Sequence, residues 1–457
     1  MSDQPPVTRI NTLRLTNYRR FEDTILEFDP GLTVLVASNG GGKTAVLDAL
    51  VSVWSLCVAV LSASRPARTL SRSDIRRVVS PQRTMELVIP SRVLASGLLN
   101  DTQLEWGEML GSLDRRARSA RMGSARELPL ATHLREMVVN HAAGKQAESP
   151  TLPLLAYYGT GRLWQAEKAA KKKNAEEADT SRFSGYTDSL SSSSTFHLFE
   201  SWFKRFSYEA QSEIASATAS PHKPRERLLS VRAAVARVLA PSGWQQLEWD
   251  FADDTLAASH SECGRLPVRS LSDGIRNMIG LVGDIAHRAV RLNPHFGADA
   301  CRRTPGVVLI DEVDMHLHPE WQQTVVPSLR EAFPAMQLIV TTHSPLVIST
   351  VPSRCIRILR EDGSVSVPSA ETEGYDSPFS LGTVFGVDPR PPGEIGRQLT
   401  RYRALVEQGF GDSGEGPSLR ESLLEHFGAT HPAMLEVDGL RRLQAFKARV
   451  RAARGGS

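Results

Sequence analysis

A glycine-rich segment at residues 37–44, with the sequence ASNGGGKT, has residue types and a spacing suited to binding phosphate. It follows a short apolar run and precedes a longer run with helical spacing, so we predict a strand, a loop and a helix. Glycines let backbone N–H groups turn toward a phosphate, and the helix N-terminus adds its dipole. The expected nucleotide-binding residues are Ser38, Asn39, Gly40, Gly41, Gly42, Lys43, Thr44 and Ala45.

Two residues of this loop have more specific expected roles. Lys43 would bridge the β- and γ-phosphates of ATP, and Thr44 would hold Mg²⁺. The usual pattern starts with glycine where this chain has Ala37, the smallest residue that retains a side chain. The alternative is a glycine-rich turn that only packs a helix onto a strand. The motifs further along the chain favour the nucleotide site.

Two adjacent carboxylates follow a second apolar run. Residues 307–310 lead into Asp311 and Glu312, which places both side chains at the carboxyl end of a predicted buried strand. We expect Asp311 to hold Mg²⁺ through water and Glu312 to act as the general base toward the attacking water. The alternative is an acidic strand end that simply faces solvent.

Two further motifs are predicted to lie near phosphate. The run SLSDGIR at residues 270–276 precedes a predicted helix at about 272–292, and backbone amides and a hydroxyl at a helix N-terminus can bind phosphate. The residues concerned are Ser272, Asp273 and Gly274, although Ser272 could instead be an ordinary N-cap. In TTHSP, after a predicted strand at 337–342, His343 would reach the same sheet edge and contact the γ-phosphate.

The alternation of buried strands with helices predicts an α/β fold with a mostly parallel sheet, preceded by an antiparallel N-terminal lobe. The central region lacks sustained heptads, so we expect a compact helical insertion rather than a long coiled coil. A predicted helical tail follows the last motif. The expected parts are the N-terminal half with the phosphate loop at 1–64, further strands and the insertion at 65–264, the second half at 265–368, and the tail at 369–457.

Composition limits the class of protein. The chain has 457 residues, a formal net charge of +3, 41% hydrophobic residues and 23% charged residues, which is ordinary globular composition without a strong overall field for nucleic acid or membrane. Its four cysteines are too scattered for a zinc site or a disulfide framework, and no signal peptide or 18-residue apolar run is present. We expect a cytoplasmic protein without membrane association.

A basic run at 115–126, a lysine run at 168–173 and a serine tract at 189–194 are predicted to be solvated loops.

The motifs ASNGGGKT, LSDGIR, VVLIDEVDMHLHP and TTHSP together resemble the ABC-type ATPases of the Rad50, RecF and condensin superfamily. The segments YYGTGRLW, DEVDMHLHPEWQ and FGVDPRPP resemble, more narrowly, the ATPases of the Septu antiphage systems (PtuA) and their retron-linked relatives. The resemblance implies an ABC-ATPase head, a P-loop NTPase that uses ATP and Mg²⁺. It also implies head-to-tail homodimers or larger assemblies.

In that family the signature serine and glycine act on the ATP of the partner subunit, so the resemblance gives Ser272 and Gly274 this role. It also implies that Arg19, in the segment NYR, reaches the nucleotide phosphates. Three departures from the family pattern are present: Ala37, Asp273 in place of glycine, and His318 in place of aspartate. Gln82 and the GTGR segment ending at residue 162 are both candidates for the family's glutamine loop.

Two functions fit the resemblance. The first is an antiphage ATPase that controls a separate HNH nuclease (PtuB-like), or a retron reverse transcriptase and its DNA and RNA. The second is a RecF- or Rad50-like DNA-repair clamp, which the basic run at 115–126 favours. A metabolic P-loop kinase would not need LSDGIR or TTHSP.

Overall fold

The computed structural model describes residues 5–114, 118–123, 129–145, 148–162, 181–191, 196–216, 223–388 and 393–454. The lysine run at 168–173 lies outside the described residues, as do residues 115–117 and 124–126 of the basic run and residues 192–194 of the serine tract. The chain forms two compact units, Met1–Phe385 and Gly386–Ser457.

The first unit contains all the strands of the described residues. They are β1 (Arg9–Tyr18), β2 (Phe21–Glu27), β3 (Leu32–Val36), β4 (Arg77–Val79), β5 (Met85–Leu87), β6 (Ser91–Leu99), β7 (Thr102–Leu110), β8 (Ala120–Gly123), β9 (Leu154–Tyr158), β10 (Trp244–Asp250), β11 (Thr255–His260), β12 (Gly264–Pro267), β13 (Gly306–Ile310), β14 (Met336–Thr341), β15 (Ile356–Leu359) and β16 (Val365–Ser366).

Helices are found in both units. They are α1 (Lys43–Ser62), α2 (Pro129–Ala142), α3 (Phe196–Ser216), α4 (Pro224–Leu239), α5 (Asp273–Leu292), α6 (Ala300–Arg303), α7 (Pro319–Gln322), α8 (Val325–Ala332), α9 (Pro345–Ile348), α10 (Ser377–Thr383), α11 (Glu394–Glu407), α12 (Gly416–Phe427) and α13 (Pro432–Arg454).

A six-stranded sheet in the order β16-β15-β3-β14-β13-β9 forms the centre of the first unit. All its neighbouring pairs are parallel except β15–β16. Every residue of β3, β9, β13 and β14 is buried. Strands covered on both faces are apolar throughout rather than alternating, which explains their continuous apolar runs in the sequence. The predicted parallel α/β sheet is confirmed.

An antiparallel sheet in the order β2-β1-β6-β7-β8 forms a second layer. One buried side chain joins it to the central sheet: the amide of Gln337, on β14, accepts from the backbone N–H of Ile10 at 2.8 Å and donates to the carbonyl oxygens of Ile10 and Asp29. All polar atoms of that amide are thereby used, as burial requires. The structure confirms the antiparallel N-terminal lobe.

Helix α1 is the one described helix that is long and apolar enough to cross a membrane by composition. However, 83% of its apolar window is buried inside the fold. It packs against β6, β7 and β9, and Trp54 on the helix contacts Trp106 on β7 with ring centroids 5.0 Å apart. Its apolar sequence is therefore that of a core helix.

The region 65–264 contains strands as well as helices. Strands β6 to β8 complete the antiparallel sheet, β9 lies at the edge of the central sheet, and β10 to β12 form a small sheet of their own. Helices α3 and α4 pack against each other and against α5. Gln82 lies exposed in the turn between β4 and β5, and the turn at 160–162 follows β9.

The sequence pattern predicts a single helix at about 319–333, but the structure has two helices there, α7 and α8. Pro327 explains the break, because it has no N–H to donate to the carbonyl four residues earlier, at Gln323. Proline is tolerated in a first helical turn, which is where Pro327 lies in α8. In the second unit, α11, α12 and α13 enclose a small core made by Tyr402, Val406, Leu423, Met434 and Val437.

His287 on α5 is half-buried with both ring nitrogens buried, and it makes stability depend on pH. Burial lowers its pKa from 6.5 to about 3, and its ring lies 5.0 Å from that of Trp202. The unfolded chain binds a proton at His287 below about pH 6.5, whereas the folded chain does not. The folded state therefore loses stability as the pH falls from 6.5 toward 3, by at most about 1.4 kcal/mol per pH unit from this residue.

We expect a His287→Leu variant to lose less stability than the wild type between pH 7 and pH 5. Urea unfolding at several pH values measures the difference. Parallel pH profiles for the two proteins would contradict the prediction.

Candidate active site

Four loops meet at the carboxyl edge of the central sheet. Because β3, β14, β13 and β9 are adjacent and parallel, the segments that follow them lie side by side: 37–42, 342–344, 311–316 and 159–162. The crevice outside this edge is where parallel sheets bind ligands. The order of strands thus brings three of the four predicted motifs together.

The loop at 37–42 has the shape of a phosphate cradle. Gly40 and Gly42 have φ values of +74° and +97°, which favour glycine. A Cβ at Gly41 would lie 2.4 Å from the Cβ of Ala37. The alanine that departs from the usual pattern is therefore accommodated because residue 41 has no side chain.

Lys43 and Thr44 begin α1 and project to the ligand edge. The Lys43 ammonium is buried and donates to the carbonyl oxygen of Ala37 at 3.0 Å. Burial lowers the pKa of Lys43, while the charges of Asp311 and Glu312 oppose that shift. The Thr44 hydroxyl donates to Asp311 at 3.3 Å. The loop and the acidic strand end are thus in direct contact.

Asp311 is held from both its backbone and its side chain. Its N–H donates to the carbonyl of Tyr158 at 2.8 Å, and its carboxylate accepts from the hydroxyl of Thr341 at 2.6 Å. The same Thr341 oxygen accepts from the N–H of Glu312 at 2.7 Å. One threonine at the end of β14 therefore orients both residues of the acidic pair.

Glu312 has a φ of +49°, an uncommon conformation for a residue with a side chain. Such conformations persist where the surroundings fix them, and they concentrate at functional sites. The following loop is held by Thr342, whose hydroxyl donates to Asp314 at 2.6 Å. His343 lies exposed in the adjacent loop.

The signature segment contacts the loop after Glu312. A Cβ at Gly274 would lie 2.5 Å from the carbonyl oxygen of His316, and the Asn277 amide donates to the carbonyl of Met315 at 3.3 Å. Ser272 is the N-terminal residue of α5, yet its side chain makes no capping hydrogen bond and is exposed. The simple N-cap alternative therefore has no support in the geometry.

Two departures from the family pattern have local partners. The carboxylate of Asp273 is paired with the guanidinium of Arg276 one turn later on α5. His318 is the N-cap of α7, where its Nδ1 accepts from the N–H of Glu320 at 3.4 Å. Each residue thus contributes to its own helix terminus.

The two adjacent arginines after β1 have different surroundings. Arg19 forms ion pairs with Asp48 at 2.7 Å and Asp74 at 3.0 Å. Arg20 donates to the carbonyl of Gly40 in the phosphate loop at 2.9 Å, and to the carbonyls of residues 360 and 361. The role of Arg19 at the phosphates stays a prediction, whereas Arg20 is the arginine that contacts the loop in this structure.

Sequence reasoning did not identify Arg20, Thr341 or Tyr158. For Arg20 the sequence gives no clear signal, because Arg19 and Arg20 lie in the turn after β1, where the alternation of a strand does not apply. For Thr341 the sequence gives a weak signal, because it is the last residue of the strand that precedes His343. Nothing in the sequence pattern distinguishes the backbone contact made by Tyr158.

The residues present fit MgATP. The glycine loop supplies backbone donors, and the ammonium of Lys43 lies beneath it. A hydroxyl and a carboxylate, from Thr44 and Asp311, are the kind of protein ligands that Mg²⁺ takes beside phosphate oxygens. In the part of the chain that the structure describes, no group of three or more His, Cys, Asp or Glu residues could hold a metal by itself. The metal would therefore need the phosphates of the nucleotide.

Comparisons with known proteins agree with this chemistry. Residues 177–349 match a family model described as "AAA domain, putative AbiEii toxin, Type IV TA system", and residues 12–68 match one described as "AAA domain". The "Retron Ec83 probable ATPase" of Escherichia coli is 25% identical over 94% of this chain and 86% of its own length. The "Septu protein PtuA" of Bacillus mycoides (strain KBAB4) is 38% identical over 21% of this chain and 13% of its own length.

Among solved structures, an SMC head bound to the C-winged helix domain of ScpA is similar, with 17% identity and a TM-score of 0.46. The alignment covers 80% of this chain and 98% of that chain.

An Arg20→Ala variant tests the contact with the phosphate loop. Without the hydrogen bond to Gly40, the loop loses a support, and we expect ATP affinity to fall about tenfold, as for loss of a charge-assisted hydrogen bond. Fluorescence titration with a labelled ATP analogue measures it. Arg14→Ala is the matched control, because Arg14 pairs only with the exposed Asp23. Equal effects of the two substitutions would refute the role of Arg20.

Proposed function

We propose, from the premise that this chain is an ABC-type ATPase related to the retron and Septu ATPases, that it hydrolyses MgATP and associates head to tail to control a partner nuclease in antiphage defence. The observation that carries the proposal is the convergence of Lys43, Thr44, Asp311 and Glu312 at one sheet edge, where Thr44 donates to Asp311 and the charges of Asp311 and Glu312 act on Lys43. Ser272, by contrast, lies exposed and contributes no capping bond to its own helix.

Each residue in the cluster has a role that its position suits. Lys43 leaves the carbonyl of Ala37 and bridges the β- and γ-phosphates. Thr44 and Asp311 would hold Mg²⁺, which would neutralise charge on the phosphate oxygens. Glu312 accepts a proton from the attacking water, and His343 contacts the γ-phosphate.

The other half of the site would come from a second copy of the chain. A helix N-terminus whose N–H groups are not capped by a side chain attracts anions. The α5 terminus, with Ser272 and Gly274, would contact the γ-phosphate of ATP held by the partner subunit. The pairing of Asp273 with Arg276 reduces the repulsion that an aspartate would otherwise exert on phosphate.

The partner is inferred from the resemblance to the Septu and retron ATPases. We propose an HNH nuclease (PtuB-like), or a retron reverse transcriptase with its DNA and RNA, as the component that the ATPase controls. All four cysteines are free, which suits the cytoplasm. Cytoplasmic localisation remains part of the proposal.

A Glu312→Gln variant tests the composite site. The substitution removes the carboxylate that would act as general base and keeps a side chain of nearly the same size. We therefore expect ATP hydrolysis to fall at least 100-fold while ATP binding persists. Light scattering should then show an ATP-dependent dimer or larger assembly. Adding Ser272→Arg should abolish the assembly without affecting ATP binding. Ser270→Arg, two residues earlier and also exposed, is the control.

Two results would overturn the proposal. One is a Glu312→Gln protein that hydrolyses ATP as fast as the wild type. The other is an assembly that forms equally with Ser272→Arg and with Ser270→Arg.

The DNA-repair clamp is the second candidate, and one observation favours it. Arg118 and Arg121, from the described part of the basic run, are exposed at β8, an edge strand of the antiparallel sheet. If these arginines contact DNA phosphates, replacing both with alanine should weaken duplex binding and reduce its salt dependence by about two counterions. Titrations at several salt concentrations measure this, and an unchanged slope would exclude the contact.

A further inference from the structure

A buried polar cluster joins β9 to the signature helix α5. The phenol of Tyr158 donates to the carboxylate of Asp284 at 2.7 Å, and the guanidinium of Arg288 donates to the same oxygen at 2.7 Å. Asp284 and Arg288 are each 3% exposed, and Tyr158 is 8% exposed. These contacts hold one helix face against the last residue of an edge strand.

The buried charges of Asp284 and Arg288 have partners, as buried charges require. Burial by itself would raise the pKa of Asp284, but Arg288 and the phenol lower it, and the net shift is downward. Arg288 also donates to the carbonyls of Gly185 and Thr187 at 2.8 Å. A charged pair in a dry environment is held tightly, because separating it would leave an uncompensated charge.

Tyr158 belongs to two contacts at once. Its side chain bonds to α5 through Asp284, while its backbone carbonyl accepts from the N–H of Asp311 at 2.8 Å. Tyr158 is also directly opposite Ile310 in the β9–β13 register. A displacement of α5 that moves Asp284 therefore pulls on the strand end that positions Asp311.

Helix α5 is the element that would be displaced. Ser272 at its N-terminus precedes Asp284 by 12 residues, which is roughly 18 Å along a helix. An α-helix of this length moves as a rigid body, so force applied at Ser272 reaches Asp284. Gly274 contacts the carbonyl of His316, which gives the same helix a second link to the loop after Glu312.

We propose that Tyr158 is a positioning residue that couples the signature end of α5 to Asp311 and Glu312 of the same chain. The inference rests on the proposed function. In a head-to-tail dimer, α5 contacts the partner subunit's ATP, so this coupling makes hydrolysis at one site depend on the nucleotide at the other. Replacing the phenol of Tyr158 would remove its contact with Asp284 and keep the backbone carbonyl that accepts from Asp311, so we expect ATP binding to change little.

A Tyr158→Phe variant tests the proposal with little disturbance of the fold, since Asp284 keeps its partner Arg288. We expect kcat to fall about tenfold, because a small misplacement of catalytic groups has an effect of this size. The Kd for ATP should stay within about twofold of the wild-type value. Tyr186→Phe is the matched control, because its buried phenol donates at 2.7 Å to the carbonyl of Pro153 and does not contact Asp284.

A double-mutant cycle separates coupling from a structural effect. If Tyr158 acts through the signature end, Ser272→Ala and Tyr158→Phe together should reduce kcat by less than the product of their separate effects. Reductions that multiply, or a Tyr158→Phe protein that matches Tyr186→Phe in kcat, would overturn the proposal while wild-type hydrolysis remained intact. A wild-type protein without ATP hydrolysis would overturn the proposed function and this inference together.

Discussion

The position of Asp311 is the constraint on which the rest of the site depends. Its carboxylate must lie beside Thr44, at the start of α1, although the two residues are 267 positions apart in the chain. The parallel pairing of β3, β14 and β13 brings them together, and Thr341 between them fixes the carboxylate at 2.6 Å. A short threonine hydroxyl can serve both members of the acidic pair, because it donates to Asp311 and accepts from the N–H of Glu312.

The residues of the phosphate loop and acidic strand end differ from those at the N-terminus of α5 in whether their side chains have hydrogen-bond partners within the same chain. Lys43, Thr44 and Asp311 all have partners from the same fold. At the α5 terminus, Ser272 makes no capping bond. An uncapped N-terminus keeps backbone donors available for an outside anion, at a stability cost of about 1 kcal/mol relative to a capped one. This asymmetry is what a site completed by a second subunit requires.

Local sequence signals were sufficient for most of the fold. The strands at 32–36, 307–310 and 337–342 were apparent because buried parallel strands are apolar at most positions. The helix predicted at 319–333 was interrupted at residues 323–324, just before the first turn of α8, which contains Pro327. The contact between Arg20 and Gly40 joins two segments through a turn, and strand periodicity does not say which of two adjacent arginines faces the loop.

Polar contacts between residues far apart in the chain could not be predicted from the sequence, for a different reason. The hydrogen bond from Tyr158 to Asp284 joins residues that are 126 positions apart in the chain. A tyrosine at the end of a strand and an aspartate in a helix are both common, so neither residue signals that the other is its partner. Only the packing of α5 against β9 makes them neighbours. Buried polar groups need partners, but the sequence does not identify which partner each one takes.

The three departures from the pattern of the resembling family lie in two different parts of the site. Ala37 is compensated inside the phosphate loop by Gly41, so the binding half keeps its form. Asp273 and His318 instead lie at helix ends beside the expected contact with a second subunit, where one pairs with Arg276 and the other caps α7. An aspartate near a γ-phosphate weakens that contact unless its charge is neutralised. In the proposed head-to-tail assembly, the Asp273–Arg276 pair would therefore reduce the repulsion between this helix end and a phosphate.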